Sequence, residues 1–425
     1  MKNQSKSKVW SWVPSLYFTE GLPYAFVMIV SVVLYKKLNI SNSEIALYTS
    51  WLYLPWVIKP FWSPFIDLIK TKRYWIVITQ LIIGASLAGI ALSIPTDKML
   101  QYTLAFFWLM AFSSSTHDIA ADGFYMLGLS SHDQSWFIGI RNSFYRFAIL
   151  FSQGLLVIFA GQLEKFYTNT DLAWAIVFGA LSTLFFALAL YHYFVLPFPI
   201  NDKSSTKKTI TEIGLKYSEV IKDFFKKRQI LLIASFILFY RFGEAQLVKI
   251  APLFMLDSYE SGGLNLTTSE YGFIYGTLGI LMLTLGGITG GVFIARKGLK
   301  FWIIWMAIAM KLPDLVYVYM AYSQPSDLTL ISLLVSIEQF GYGFGFTAYL
   351  LYMMMVSEGD NKTAHYAICT GIMALGMMIP GMFSGFLQEN FGYLFFFFWV
   401  ILSTIPGLIL IKYININSSF GLKKD

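Results

Sequence analysis

The chain has 425 residues, 56% of them hydrophobic and 13% charged, where an ordinary soluble protein carries about 25% charged residues. Its formal charge of +7 is spread over short loops between apolar runs, a pattern that excludes a nucleic-acid-binding face. One cysteine, Cys369, excludes an intrachain disulfide, no metal-ligating cluster is visible, and the chain reads as an all-α polytopic membrane protein.

The N-terminus, MKNQSKSKVW, is a short basic tail leading straight into a long apolar run, without the small-residue site of a cleaved leader. Runs of about 20 apolar residues, enough to cross hydrocarbon, lie near 10–34, 43–66, 74–95, 100–128, 136–160 and 171–196. A polar break at 197–229 follows, then runs near 230–256, 269–294, 300–322, 328–356, 363–387 and 391–413. This predicts twelve transmembrane helices: an N-terminal half over 1–196, a basic linker over 197–229 and a C-terminal half over 230–425. In the linker, Ile213, Val220, Ile221, Phe224 and Phe225 lie among charges. Two readings stay open for it, an amphipathic helix on the anionic leaflet and a solvated connection. With both termini placed in the cytoplasm, the external loops hold only Lys36, Lys37, Lys98 and Lys165 of the 31 Lys+Arg. Apart from the six within spans, the rest fall on the cytoplasmic side, as the positive-inside rule requires.

The spans carry charges that hydrocarbon penalises, by roughly 2.5–3.5 kcal/mol each on insertion scales. They are Glu20, Lys59, Asp118, Asp122, Arg141, Arg146, Arg241, Glu244, Lys249, Lys311, Asp314 and Glu338. Such groups must face a bundle interior or a wet cavity, and must pair or exchange protons. Asp118 and Asp122 are four apart and share a helix face, whereas His117 points about 100° away. Lys311 and Asp314, three apart around Pro313, are expected to neutralise each other. Arg241 and Glu244 share a face and are expected to pair when the site is empty. The run QFGYGFGFTAY at 339–349 permits close helix approach and has no phosphate-loop lysine.

The two halves echo each other. FYMLGLSSHDQSWFIGI at 124–140 lies over LYMMMVSEGDNKTAHYAI at 351–368 with an offset of 227, matching Tyr125/Tyr352, Met126/Met353, Ser130/Ser357 and Asp133/Asp360. NSEI at 42–45 lies over TSEY at 268–271 with an offset of 226. Two related six-helix halves joined by a long loop resemble the major facilitator fold. The loop GVFIARKGLK at 291–300 resembles that superfamily's G-x-x-x-D-R-x-G-R-K motif, matching at Gly291, Arg296, Gly298 and Lys300. The equivalent SPFIDLIKTKR keeps the acid as Asp67. Asp67 and Arg296 are thus candidate cytoplasmic gate residues.

LYFTEGLP at 16–23, IKPFWSPFID at 58–67, SSTHDIAADGF at 114–124 and the Tyr145–Arg146 pair are more specific. They resemble the AmpG family of muropeptide permeases and the related acetyl-coenzyme A transporters, chiefly over the first five spans. The family's span-4 motif, S-x-S-Q-D-I-x-x-D, is matched at Ser113, Ser115, Asp118, Ile119 and Asp122. His117 stands for its glutamine, and Glu20 stands where a small or neutral residue is expected. The resemblance implies proton-driven import of N-acetylglucosaminyl-1,6-anhydromuramyl peptides across the inner membrane for cell-wall recycling. It also implies alternating access about a cavity lined mainly by spans 1, 4, 7 and 10. On that fold, Asp118, Asp122, Glu20, Glu244 and Glu338 are the candidate proton carriers. Arg141, Arg146, Arg241, Tyr145, Gln339 and Tyr342 are the candidate contacts of an anionic glycopeptide or amino sugar. Expected partners are this small molecule, protons and the bilayer; no cofactor beyond the proton gradient, no nucleic acid and a monomeric state are expected. Two alternatives remain: the same fold carrying acetyl-coenzyme A or a siderophore, and, more remotely, an intramembrane enzyme using His117 with Asp118.

Overall fold

The computed structural model describes residues 6–199, 202, 210–359, 362–418 and 420–421. Among them there is no strand. The helices are α1 (Lys8–Lys37), α2 (Asn42–Trp51), α3 (Leu54–Ile69), α4 (Lys72–Ser93), α5 (Met99–Gly128), α6 (Trp136–Tyr167) and α7 (Thr170–Val195). After them come α8 (Ile210–Phe225), α9 (Ile230–Leu256), α10 (Thr268–Lys297), α11 (Leu299–Ser323), α12 (Leu328–Val356) and α13 (Ala364–Leu410). Nine of these, α1, α4, α6, α7 and α9–α13, are long and apolar enough to cross a membrane among the described residues. The sequence predicts two spans within the 47-residue α13, and the chain turns there at Gly392 (φ 73°, ψ 168°), a left-handed backbone that favours glycine. The span predicted near 43–66 is interrupted between α2 and α3, and α5 is continuous through His117, Asp118 and Asp122. The linker includes the helix α8, which buries Phe224 and exposes Phe225.

Side-chain caps set many of the helix starts. Ser41 accepts from the Glu44 N–H, Thr71 from Tyr74, Ser130 from Asp133 at the start of the helix Ser131–Leu150 that α6 continues, and Asn169 from Leu172. Thr267 and Glu270 form a full capping box before α10, which satisfies two of the N–H groups a helix start leaves unpaired. The NSEI/TSEY repeat is therefore a repeat of caps: Ser41 with Glu44 and Thr267 with Glu270 begin α2 and α10 alike. Gly298, in the GVFIARKGLK loop, takes φ 79° and returns its N–H to the Ile294 carbonyl, ending α10.

Cα packing divides the chain into two compact units. One runs up to Leu34 and again over Ile58–Lys216; the other takes Tyr35–Val57 and continues from Tyr217. The first unit packs α1 against α5 and α6, and α4 against α5 and α7. Its core holds Trp12, Leu16, Ile76, Ile119, Phe124 and Phe137. Gly21 allows α1 to approach α6, since a Cβ there would lie 2.8 Å from the Tyr145 carbonyl oxygen and from Ala148 Cβ. Just beyond, π-helical turns at Phe26–Val30 and Phe151–Leu155 touch each other; such bulges recur at functional sites.

In the second unit, α12 packs between α10 and α11 by means of its glycines. A Cβ on Gly343 would lie 1.9 Å from the Leu283 carbonyl oxygen, and one on Gly341 2.2 Å from that of Ala309. QFGYGFGFTAY is thus a two-sided small-residue face. In the same unit α13 lies against α9 and α2.

Candidate functional site

The first unit gathers five charged side chains from four helices. Asp122 of α5 pairs with Arg141 of α6 at 2.6 Å and accepts from the Tyr17 hydroxyl at 3.3 Å. The Arg141 guanidinium lies 4.3 Å over the Tyr17 ring and 5.5 Å over Tyr125, so ion pairing and cation–π attraction hold it together. One helical turn earlier, Asp118 pairs with Lys59 of α3 at 3.4 Å. Glu20 of α1 is buried within electrostatic reach of both aspartates, Arg141 and Lys59, and its Oε2 has no hydrogen-bond partner. Tyr145 faces the same group, within electrostatic reach of Asp118, Glu20 and Asp122. Three acids thus share two bases in one cluster, in which Glu20 is buried and the other four side chains are partly exposed.

His117 belongs to another network. Its Nε2 lies 2.9 Å from Gln80 Nε2, Gln80 Oε1 lies 2.9 Å from His192 Nδ1, and His192 Nε2 lies 3.0 Å from Ser15 Oγ. This buried ladder ties α1, α4, α5 and α7 together, on the side of α5 away from Asp118, as the 100° offset predicts. Arg146, five residues beyond Arg141, is exposed. Of the two arginines, Arg141 is the one paired with an aspartate among the described residues.

In the second unit Glu244, Asp314 and Glu338 lie near one another, and one lysine pairs with the first of them. Lys311 of α11 pairs with Glu244 of α9 at 2.9 Å, with both side chains buried, and donates to the Tyr240 carbonyl at 2.5 Å. That carbonyl is available because α9 breaks at Arg241 (φ −109°, ψ 18°). Glu338 accepts from the Tyr317 hydroxyl at 3.3 Å and from Gln339 Nε2 at 3.0 Å. Asp314 lies within electrostatic reach of Glu244, Glu338 and Lys311, and neither of its buried oxygens has a hydrogen-bond partner.

Two pairings expected from sequence are corrected here. Lys311 does not neutralise Asp314; it turns to α9, where a carboxylate and a freed carbonyl lie together. Arg241 does not pair with Glu244, because the break removes it from the helical face the two would share. Its guanidinium donates to the Tyr342 hydroxyl and lies 4.7 Å over the Phe346 ring. Of the gate residues, Arg296 is exposed in the last turn of α10, and the side chain of Asp67 lies outside the described residues.

Sequence reasoning left Lys59 and Tyr17 without a role. Lys59 is visible as a charge within a span, but its partner lies on another helix. Tyr17 is one of 26 tyrosines, and nothing local distinguishes it.

Residues 15–362 match the family model described as Major Facilitator Superfamily. Over 414 residues the chain is 25% identical to "Putative transporter AmpG 4" of Rickettsia conorii, covering 94% of this chain and 95% of that protein. It is 22% identical over 419 residues to "Anhydromuropeptide permease" of Escherichia coli K12, covering 95% and 81%. Among solved structures, the nucleoside transporter NupG is similar with a TM-score of 0.69 at 14% identity, over 94% of this chain and 97% of that one. The partially occluded inward-open xylose transporter XylE from E. coli is similar with a TM-score of 0.69 at 12% identity, over 96% and 100%.

Proposed function

We propose that this chain, which belongs to the Major Facilitator Superfamily and is a membrane transporter, couples the import of an anionic anhydromuropeptide to protons. The observation that carries this reading is the unequal cluster of the first unit. Lys59 and Arg141 neutralise Asp118 and Asp122, which leaves Glu20 buried beside them as a third carboxylate. One proton balances the cluster, and losing it restores a negative charge that water or a rearranged cation must meet. Binding and release of that proton, in step with opening of the cavity to one side and then the other, is the chemistry a symporter needs.

The cargo class follows from the similarity to AmpG proteins and the anhydromuropeptide permease, together with the cationic residues Arg141, Arg146 and Arg241. In this reading Tyr145, Gln339 and Tyr342 contact the sugar or its amides. Asp118, Asp122, Glu20, Glu244 and Glu338 carry or relay protons, and Asp67 and Arg296 form the cytoplasmic gate. The protein lies in the inner membrane with both termini in the cytoplasm, and imports from the opposite side.

The test is uptake of N-acetylglucosaminyl-1,6-anhydromuramyl tripeptide into proteoliposomes, with and without an inward proton gradient. Accumulation that requires the gradient, and is not competed by acetyl-coenzyme A, supports the reading. Uptake indifferent to the gradient sinks the coupling; competition by acetyl-coenzyme A, with no muropeptide uptake, moves the cargo to the thioester.

A further inference from the structure

Two cations of the second unit meet no acid. Arg241 has its Nη2 on the Tyr342 hydroxyl and its Nε without a partner. Lys249, eight residues further along α9, is only 2% exposed. Its Nζ donates to Thr49 Oγ1 at 2.9 Å and lies 5.3 Å from the centroid of the Tyr53 ring. The Thr49 hydroxyl hydrogen already goes to the Ile45 carbonyl at 2.6 Å, so Thr49 meets the ammonium only as a neutral acceptor. Among the described residues no carboxylate lies within 4 Å of either cation. Of the acids of this unit, Asp257 pairs with Lys36, and Glu244, Asp314 and Glu338 lie near one another, with Lys311 paired to Glu244.

A cation held in hydrocarbon without an acid is among the costliest features a membrane chain can carry. Lys249 is seven residues short of the end of α9, and its head group is buried rather than extended to the interface. The surroundings offer further polar groups. The Ser50 hydroxyl is buried without a partner. A Cβ on Gly381 would lie 2.6 Å from Ser50 Oγ and 3.4 Å from Lys249 Cγ, so this glycine lets its helix approach both closely. Tyr53 lies within electrostatic reach of Arg241 as well, so it neighbours both cations.

The segment that covers Lys249 is fastened at its Lys36 end by polar bonds. Lys36 pairs with Asp257 at 2.5 Å, and Asn42 Nδ2 donates to Gln388 at 2.7 Å and to the Tyr393 hydroxyl at 3.0 Å. Both Asn42 bonds are buried and the Lys36–Asp257 pair is mostly so, and it is these directional contacts that hold this end of the cover.

We propose that Lys249, with Ser50 and Tyr53 beside it, is a second anion anchor that works with Arg241 to select a cargo bearing two separated carboxylates. Lys249 is eight residues beyond Arg241, about 12 Å along a helix axis, which sets the scale of the spacing between the two groups. Thr49 and Tyr53 hold the Lys249 ammonium while the anchor is covered. This rests on the transport of an anionic glycopeptide proposed above.

The test compares binding of N-acetylglucosaminyl-1,6-anhydromuramyl tripeptide with that of the same compound amidated on its peptide carboxylates. The purified parent protein, Lys249→Met and Lys249→Arg are measured in lipid nanodiscs. The parent prefers the free acid by roughly a hundredfold, two charge-assisted contacts of about tenfold each. Lys249→Met keeps only the roughly tenfold share that Arg241 supplies while melting no lower than the parent, and Lys249→Arg keeps part of the difference. An unchanged preference in Lys249→Met overturns the proposal, whatever its melting temperature. If the parent binds neither form, the muropeptide reading fails, and the anchor is tested separately with dicarboxylates from succinate to sebacate. Chain-length-dependent thermal stabilisation of the parent that is lost in Lys249→Met supports the anchor. Equal stabilisation of both proteins, or none of the parent, overturns it.

Discussion

Lys311 is the most informative residue to replace, because it does two things at once. It pairs with Glu244 inside the second unit and satisfies the Tyr240 carbonyl freed by the break at Arg241. Lys311→Met leaves a buried carboxylate without its cation, a loss of about 3–5 kcal/mol, and an unsatisfied carbonyl costing roughly 1–3 kcal/mol. Glu244→Gln is milder, because the amide oxygen still accepts from Lys311 and the carbonyl stays bonded; about 1–3 kcal/mol is expected. The two effects therefore do not add. In the parent, Glu244→Gln lowers the melting temperature; in Lys311→Met, the same change raises it, because it removes the stranded charge. Melting of the four proteins in detergent, followed by the fluorescence of a fused reporter, gives the order directly. If Glu244→Gln lowers the melting temperature further in the Lys311→Met background, the pair is not the interaction argued here.

Glu20→Gln removes the third acid of the first unit, so gradient-driven accumulation is lost while substrate counterflow, which needs no net proton movement, persists. Loss of both, in a folded protein, would assign Glu20 to cargo binding instead. Gly343→Ala puts a Cβ 1.9 Å from the Leu283 carbonyl oxygen and should cost about 1–3 kcal/mol of overpacking. Gly291→Ala, with nothing within 4 Å of the new Cβ, should be neutral or slightly stabilising, and equal melting of the two variants would refute the small-residue packing. Asp257→Asn unpairs Lys36 and weakens the fastening of Tyr35–Val57, so maleimide labelling of a Thr49→Cys variant should rise several-fold. Unchanged labelling would mean that other contacts hold the cover.

Much of the architecture was legible in the residue order. Apolar runs and basic loops marked helices and breaks, and one weak repeat, NSEI over TSEY, proved to be the same cap in two places, Ser41 with Glu44 and Thr267 with Glu270. The face shared by Asp118 and Asp122, with His117 turned away from it, was equally legible, since it depends only on helical spacing. The expected partners were less so. Lys311 with Asp314 and Arg241 with Glu244 obey the same spacing rules, yet neither pair forms. A break at residue 241 removed one arginine from its face and offered one lysine a better set of acceptors.

The sequence by itself determined that this chain is a polytopic helical protein and which of its charges are out of place. The cost of a charge in hydrocarbon belongs to each residue singly and requires no knowledge of its neighbours. Tertiary structure alone decided the pairing of those charges. It left Glu20 as the third acid beside two bases, left Lys249 with no carboxylate within 4 Å among the described residues, and packed Tyr35–Val57 with the second unit rather than the first. Pairing depends on the distance and direction between side chains far apart in the chain, and a single broken turn is enough to redirect them.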